Sequence, residues 1–233
     1  MKFKCLSTGS QGNCYILDNG EQTLILDCGI PIREIKVGLD FRIDNVACCL
    51  VTHKHSDHSR ALRKIKSIGI DVYSPYLENT DTEENSINSR VQMKKFGSYK
   101  VYAFQVPHND TDNYGFLIES KGERVLYITD FEYCPFNFKS QKINHFIVEC
   151  NYQDELVDED SPNYVHKVLG HCGLNTAREL IKANKTDEMK NIILVHLGND
   201  TTNKGQIIDS ISKVANKGNF VECAYKGMER ELS

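Results

Sequence analysis

Apolar positions in the first half of the chain come in short runs separated by turn residues, a pattern typical of strands. Three strands are predicted first, over residues 3–7, 14–18 and 23–27. Asn19-Gly20 predicts a hairpin turn between the second and the third. Residues 46–52 form a run with almost no alternation, which is typical of a strand covered on both faces. Pro31 suits the first turn of a short helix that ends at residue 39.

The second half alternates apolar runs with helical patterns. The predicted strands cover residues 71–74, 100–106, 114–119, 124–129, 145–150, 191–197 and 219–225. The predicted helices cover residues 59–68, 175–183 and 202–215. Residues 78–92 are polar and predict either a loop over a functional site or a solvated helix. This order favours an α/β fold in which two packed sheets carry helices outside, formed by one domain over residues 1–233.

Composition narrows the class of protein. The chain has 233 residues, of which 40% are hydrophobic and 26% charged, as in ordinary globular proteins. A net charge of −4 gives no overall basic footprint for nucleic acid. No apolar run is long enough to span a bilayer, so we expect no membrane partner. Nine scattered cysteines without a C-x-x-C pair predict free thiols and a cytoplasmic protein.

One stretch concentrates the chemistry, Thr52-His53-Lys54-His55-Ser56-Asp57-His58. In an extended chain, residues i and i+2 project to the same side, so His53 and His55 are placed to bind one ion together. The chain then turns, which points Asp57 and His58 toward a second ion. Several polar rings packed together need partners once they are buried. The stretch therefore predicts a metal centre.

Further candidate ligands follow other predicted strands. His108, Asp130 and His196 each stand at a strand end, and His171 lies in the loop at residues 170–173. A strand end presents a side chain from a rigid scaffold. Two ions need about seven ligands, and nitrogen with carboxylate oxygen suits zinc, manganese or iron.

Taken together, the candidate ligands resemble the signature of a known protein family. The pattern His53-x-His55-x-Asp57-His58, followed by His108, Asp130 and His196, resembles the metal-binding signature of the metallo-β-lactamase superfamily over nearly the whole chain. Five short motifs resemble its bacterial YycJ/WalJ-type branch, which is related to tRNA-processing and β-CASP nucleases: Ser10-x-Gly12-Asn13, Asp27-Cys28-Gly29, Thr129-Asp130, Glu149-Cys150-Asn151 and Gly170-His171. Three places depart from that pattern: Phe131, Tyr152 and Cys172-Gly173.

The resemblance implies an αββα sandwich that holds two divalent ions, zinc first, with manganese or iron as alternatives. It assigns the first ion to His53, His55 and His108. It assigns the second ion to Asp57, His58 and His196. Asp130 would bridge the two ions, and Asp27 would orient one of the ligating histidines.

Two residues are predicted to act in catalysis. Asp57 would also hold the nucleophile's proton. His171 would donate a hydrogen bond to the transition state or protonate the leaving group, unless it is only a loop histidine that caps a helix or faces solvent. Glu149 and Asn151 are expected to support the ligands from behind, without a catalytic role. The turn at residues 9–13 either presents N–H groups to the site or is a plain turn.

The leading functional prediction is a dinuclear metal-dependent phosphodiesterase that acts as a nuclease. Two ions about 3.5–4 Å apart can share a water and lower its pKa toward about 7, and they neutralise charge on the phosphoryl group. Arg63-Lys64-x-Lys66 and Lys94-Lys95 with Lys100 either border a nucleic-acid groove or merely face solvent. One alternative is hydrolysis of a small thioester, lactone or cyclic nucleotide. Another is a metal-stabilised binding protein without turnover.

Overall fold

The computed structural model describes residues 1–78, 91–109 and 111–232. Its strands are β1 (Lys2–Ser7), β2 (Cys14–Asp18), β3 (Thr23–Leu26), β4 (Val46–Leu50), β5 (Val72–Tyr73), β6 (Val91–Phe96), β7 (Tyr99–Val106), β8 (Asn113–Ser120), β9 (Glu123–Ile128), β10 (His145–Glu149), β11 (Asn191–Val195), β12 (Phe220–Cys223) and β13 (Glu229–Glu231). Its helices are α1 (Ile32–Gly38), α2 (Ser56–Ser59), α3 (Leu62–Ser67), α4 (Pro75–Glu78), α5 (Tyr164–Gly170), α6 (Leu174–Asn184) and α7 (Lys204–Ser212).

The strands form two sheets. The first has six strands in the order β13-β1-β2-β3-β4-β5, and the second has seven in the order β12-β11-β10-β9-β8-β7-β6. Large apolar side chains from both sheets, including Phe3, Tyr15, Phe116 and Tyr127, are buried in one central core between them. The interior is therefore the interface between two sheets, as the short apolar runs predicted.

Helices cover the outer face of each sheet. Ile35 of α1 and Ile65 of α3 pack against the first sheet, in a core with Ile25 and Cys49. Ile181 of α6 and Ile207 and Ile211 of α7 pack against the second sheet. The layers are thus helix, sheet, sheet and helix, which confirms the predicted αββα sandwich.

The sequence missed two strands, β6 and β13, and two short helices, α4 and α5. β6 and β13 lie at sheet edges, and both are rich in charged residues, which is how natural edge strands avoid pairing with other chains. Their polarity hid them from a search for apolar runs. Helix α5 is only seven residues long and has no predicted counterpart. The prediction for residues 78–92 falls mostly on residues 79–90, which lie outside the described residues, and its last residues belong to β6.

The strand directions bring the ends of several strands to one edge of the sandwich. β3, β4 and β5 are mutually parallel, and so are β9, β10, β11 and β12. β7 runs the same way as β9 because each is antiparallel to β8. The carboxyl ends of parallel strands meet at one edge of a sheet, where open α/β folds place their sites. The residues that follow these strands include Asp27, His53, His108, Asp130 and His196.

Two further features bear on the predictions. All nine cysteines are free thiols, and eight of them are buried. Within the described ranges, no helix combines the length and the apolar character that a bilayer crossing requires.

Candidate metal centre

His53, His55 and His108 bring three ring nitrogens together; we call them the histidine group. His53 Nε2 lies 3.0 Å from His55 Nδ1, which lies 3.2 Å from His108 Nε2. His53 and His108 are buried and His55 is half-buried. Side chains 53 residues apart in the chain therefore converge on one point, as the sequence predicted.

The second ring nitrogens of this group have protein partners. His53 Nδ1 lies 3.0 Å from the Thr52 hydroxyl, and His108 Nδ1 donates to the Gly170 carbonyl oxygen at 2.6 Å. Such contacts fix the tautomer and turn the other nitrogen toward the site. Nε2 of both residues is thereby left with a lone pair that faces the centre of the group.

Asp57, His58, Asp130 and His196 form a second set, the acidic group. The ligand atoms of its four members lie within 4.8 Å of one another. His58 Nε2 is 3.4 Å from Asp57 Oδ2 and 3.3 Å from Asp130 Oδ1, and His196 Nε2 is 3.8 Å from Asp57 Oδ2. The turn predicted after His55 is the one-turn helix α2, which carries Asp57 and His58.

The Asp27-Cys28-Gly29 motif holds α2 in place. Cys28 N donates to the His58 carbonyl at 2.8 Å. A Cβ on Gly29 would overlap the Asp57 carbonyl, so only glycine permits this close approach of the two backbones. The motif thereby fixes where the two α2 ligands stand.

Asp27 supports the acidic group from below. Its Oδ2 accepts from His58 Nδ1 at 2.8 Å and from the Tyr127 hydroxyl at 2.5 Å. Its Oδ1 accepts from Thr52 N at 2.8 Å. Asp27 thus fixes the tautomer of His58 that presents Nε2 to the site.

Asp130 stands between the two groups. Its Oδ1 faces His58 Nε2 at 3.3 Å, and its Oδ2 lies 3.9 Å from His53 Nε2. The Thr129 hydroxyl donates to Oδ1 at 2.8 Å, and the Asn113 side chain donates to the Asp130 carbonyl. One carboxylate therefore presents one oxygen to each group.

Three site residues adopt left-handed backbone conformations. The φ angles are +58° at Asp27, +52° at Asp130 and +53° at His196. Asp27 and His196 directly follow β3 and β11, and Asp130 is the second residue after β9. Non-glycine residues rarely adopt such angles, and strained residues concentrate at functional sites. The backbone turns sharply at the strand end and aims the side chain into the site.

Glu149 contacts two histidines of the site at once, which its position in the sequence did not predict. Its Oε1 accepts from His196 Nδ1 at 2.7 Å and from His171 Nδ1 at 2.8 Å. Its Oε2 accepts from the backbone of Phe131 and Cys172 at 3.2 and 3.0 Å. Glu149 is fully buried, and with Asp130, His171 and His196 it forms a third set of possible ligands. Nothing local in the sequence reveals these contacts, because the two histidines lie 22 and 47 residues away.

The two groups differ in proton affinity. Burial lowers the pKa of His53, His55 and His108, so these rings are neutral at pH 7. Burial also opposes charge on His196, but Asp130, Asp57 and Glu149 together raise its pKa to about 10. For His58, Asp130 and Asp27 likewise outweigh burial and raise the pKa.

The donors present fit a pair of divalent ions. His196 Nε2 is buried and has no hydrogen-bond partner among the described residues, although buried polar atoms are normally satisfied. It lies 3.8 Å from Asp57 Oδ2 in the acidic group, where a bound cation would supply the missing partner. Imidazole nitrogens and carboxylate oxygens, without thiolate, are a donor set for borderline divalent metals.

The turn at residues 9–13 reaches the site through a side chain. Asn13 Oδ1 accepts from Gly9 N at 2.9 Å, which closes the turn. Asn13 Nδ2 lies 3.0 Å from His58 Nε2. The turn therefore holds Asn13 against the acidic group.

Two of the departures from the branch pattern, Tyr152 and Gly173, are in direct contact. A Cβ on Gly173 would lie 2.6 Å from the Tyr152 ring, and the two residues form an isolated β-bridge. The tyrosine ring thus occupies space that only glycine at position 173 leaves free. Phe131 and Cys172 are fully buried and donate their backbone N–H groups to Glu149.

Comparison with known proteins agrees with this architecture. The sequence profile described as "Metallo-beta-lactamase superfamily" matches residues 7–129, which is more than half of the chain. The chain belongs to this superfamily. Exodeoxyribonuclease YycJ of Bacillus anthracis is 26% identical over 240 residues, covering 94% of this chain and 91% of that protein. The predicted resemblance to the YycJ/WalJ-type branch is thereby confirmed.

Solved structures share the superfamily fold. The metallo-beta-lactamase fold protein YhfI from Bacillus subtilis superposes with a TM-score of 0.73 at 16% identity, covering 98% of both chains. The short form of human tRNase Z superposes with a TM-score of 0.67 at 16% identity, covering all of both chains. At this level of identity the likeness concerns the fold.

Proposed function

We propose that this chain is a metal-dependent hydrolase of phosphodiester bonds, and specifically a nuclease. The observation that carries the proposal is Asp130, whose two oxygens face two separate sets of nitrogen and oxygen donors. A carboxylate in that position is suited to bridge two cations. The relative matched over most of both chains is named an exodeoxyribonuclease, which favours nucleic acid as the substrate.

Each predicted ligand has a place in this scheme. His53, His55 and His108 hold the first ion. Asp57, His58 and His196 hold the second, and Asp130 is shared. We infer zinc first, with manganese or iron as alternatives, because the donors are nitrogen and carboxylate. When bound, two such ions lower the pKa of a water and neutralise negative charge on phosphate oxygens.

The protein's own groups position protons around the ligands. The Asp57 side chain is partly exposed beside the acidic group, where it would accept a proton from the attacking water. His171 Nδ1 donates to Glu149, which leaves Nε2 of a partly exposed ring to protonate the leaving group. Glu149 and Asp130 oppose the effect of burial and raise the pKa of His171, which favours the protonated ring.

A cluster of basic residues beside the ligands favours a polyanionic substrate. Asp57 is the one acidic residue between Lys54 and Ile70, and this stretch also carries five basic residues. All five are exposed; they are Lys54, Arg60, Arg63, Lys64 and Lys66. We call them the cationic face. It is continuous in sequence with the ligands His53, His55 and His58, whereas the whole chain has a net charge of −4. Local positive charge of this kind attracts phosphates and makes binding dependent on salt.

The direct test offers single- and double-stranded DNA and RNA to the purified protein with Zn²⁺ or Mn²⁺. We expect cleavage of nucleic acid that chelation abolishes and that Asp57→Ala lowers about a hundredfold. The same protein is assayed on a thioester, a lactone and a cyclic nucleotide. Turnover of one of these without nucleic-acid cleavage contradicts the nuclease and supports a small-molecule hydrolase. Metal binding without any turnover supports a binding protein.

The cationic face provides a second test. Replacing Arg60, Arg63 and Lys64 together with Gln should weaken oligonucleotide cleavage at 150 mM salt and leave hydrolysis of bis(4-nitrophenyl) phosphate unchanged. The matched control replaces three lysines outside this face, Lys182, Lys213 and Lys217. Equal effects of the two triple variants contradict a specific role for the face.

The nine free thiols suit the reducing cytoplasm, where we place the protein.

A further inference from the structure

Lys167 is a half-buried cation whose hydrogen-bond partners carry no charge. It lies on α5, and its Nζ donates to Asn151 Oδ1 at 3.3 Å and to the Thr201 hydroxyl at 3.1 Å. Among the described residues, no carboxylate pairs with it. Lys190, by contrast, pairs with Glu123 at 2.9 Å, and Lys4 pairs with Asp40 at 3.3 Å.

The position of Lys167 ties it to the metal centre. Asn151, which accepts from Lys167, donates through Nδ2 to the His196 carbonyl at 3.0 Å. The carbonyl of Lys167 accepts from His171 N at 3.0 Å, at the end of α5. The ammonium group therefore stands one side chain away from the acidic group and one helical turn before His171.

Burying this ammonium group has a free-energy cost that its two neutral hydrogen-bond partners do not fully offset. An ammonium group that leaves water loses hydration, and neutral acceptors return less than a carboxylate does. Burial accordingly lowers the pKa of Lys167, while Glu149 and Asp200 act in the opposite direction from a greater distance. An ammonium has three N–H donors, and two of them are used here. Among the described residues, the third donor has no protein partner and no carboxylate neutralises the charge, which suits an anion.

We propose that Lys167 binds a phosphate group adjacent to the scissile one. The site then selects a chain of phosphodiesters over an isolated diester. This inference rests on the proposed nuclease function, because the scissile phosphate is taken to lie over the two metal groups. The competing explanation is structural: Lys167 only fastens Asn151 to the loop that contains Thr201.

Measurements of oligonucleotide binding distinguish a phosphate-binding role of Lys167 from a purely structural one. Lys167→Gln keeps a hydrogen-bond donor for Asn151 and Thr201 but removes the charge, whereas Lys167→Arg keeps the charge. Lys182→Gln is the matched control, since Lys182 is exposed on α6 and forms an ion pair with Glu179. Affinity for a fluorescent single-stranded oligonucleotide is measured by anisotropy as a function of salt, with Mn²⁺ present and Asp57→Ala in every chain to slow cleavage.

We expect Lys167→Gln to weaken binding about fivefold to tenfold and to make the plot of log affinity against log salt shallower by about 0.7, the value for one phosphate on a single strand. Lys167→Arg should retain most of the slope, and Lys182→Gln should leave it unchanged. An unchanged slope in Lys167→Gln overturns the proposal.

Kinetics with Asp57 intact give the second readout. Lys167→Gln should raise KM for the oligonucleotide with kcat within about threefold, and leave hydrolysis of bis(4-nitrophenyl) phosphate, which has one phosphate, unaffected. Equal losses on both substrates indicate a structural role and overturn the proposal. A wild-type protein that cleaves neither substrate contradicts the nuclease function instead, and the binding measurement still decides the role of Lys167.

Discussion

The histidine group and the acidic group are neighbours that hold their rings in different ways. Behind the histidine group stand a hydroxyl and a backbone carbonyl, from Thr52 and Gly170. Behind the acidic group stand two buried carboxylates, Asp27 and Glu149. The first group is therefore neutral before metal binds, whereas the rings of the second retain protons.

The hydrogen-bond partner behind a histidine therefore sets the protonation state of the ring as well as its orientation. A carboxylate behind a histidine raises the basicity of the ring and makes it a stronger ligand once the proton has left. The two metal positions should therefore differ in affinity and in pH dependence. Asp130 presents one oxygen to each group and so couples them.

Removing Asp130 should have the largest effect, because it serves both groups. We expect Asp130→Ala to lower kcat/KM for the nucleic-acid substrate about a thousandfold, which corresponds to about 4 kcal/mol. Asp130→Asn, of equal size, should lose nearly as much because it lacks the charge. Circular dichroism controls for folding. A folded variant with more than a tenth of wild-type activity contradicts a shared ligand.

Removing one group at a time should cost less. His108→Ala disrupts the histidine group and Asp57→Ala disrupts the acidic group, and we expect each to lower kcat about a hundredfold. Excess Mn²⁺ should rescue neither variant fully. If one substitution is harmless and the other abolishes activity, catalysis needs a single ion, which contradicts a centre in which both groups take part.

Asp27 should matter more than Thr52 for metal affinity. Asp27→Asn leaves His58 oriented but without its charged partner, so we expect 10- to 100-fold weaker binding of one ion, measured by competition with a chelating dye. Thr52→Val should change affinity less than tenfold. The reverse order contradicts the idea that carboxylate support distinguishes the groups. Tyr127→Phe tests the hydrogen bond to Asp27 and should have a smaller effect still.

The pH dependence of metal uptake should separate the groups. In the metal-free protein, carboxylates raise the pKa of His196 to about 10, so an ion must displace its proton at any lower pH. Affinity for the acidic group should rise about tenfold per pH unit for each proton released between pH 6 and 9. Burial lowers the pKa of His53 and His108, so binding to the histidine group should be nearly flat over this range. Calorimetry in two buffers counts the protons.

Much of the fold follows from local pattern. Residues 14–18 were predicted as a strand, and β2 has the same bounds, because its residues are almost all buried. β13 was missed because the sequence of an edge strand is shaped by solvent rather than by a core. Helix α5 was missed because seven residues give too short a stretch for helical periodicity to emerge.

The candidate site, like the fold, has members that the sequence predicts and contacts that it does not. His53, His55, Asp57 and His58 are visible because they are close in sequence, and the family resemblance adds the distant members. Tyr127 bonds Asp27 across 100 residues of chain, and no sequence pattern points to that contact. Glu149 was noted as a supporting residue, but its simultaneous contacts with His171 and His196 depend on how α5 and β11 lie in space.

The most direct test of the two-ion centre is a crystal structure of the metal-loaded protein, with data collected on both sides of the metal's absorption edge. We predict two anomalous peaks, separated by about 3.5–4 Å, one on each side of the Asp130 carboxylate. A single peak in only one of the two groups, or peaks remote from Asp130, contradicts the account.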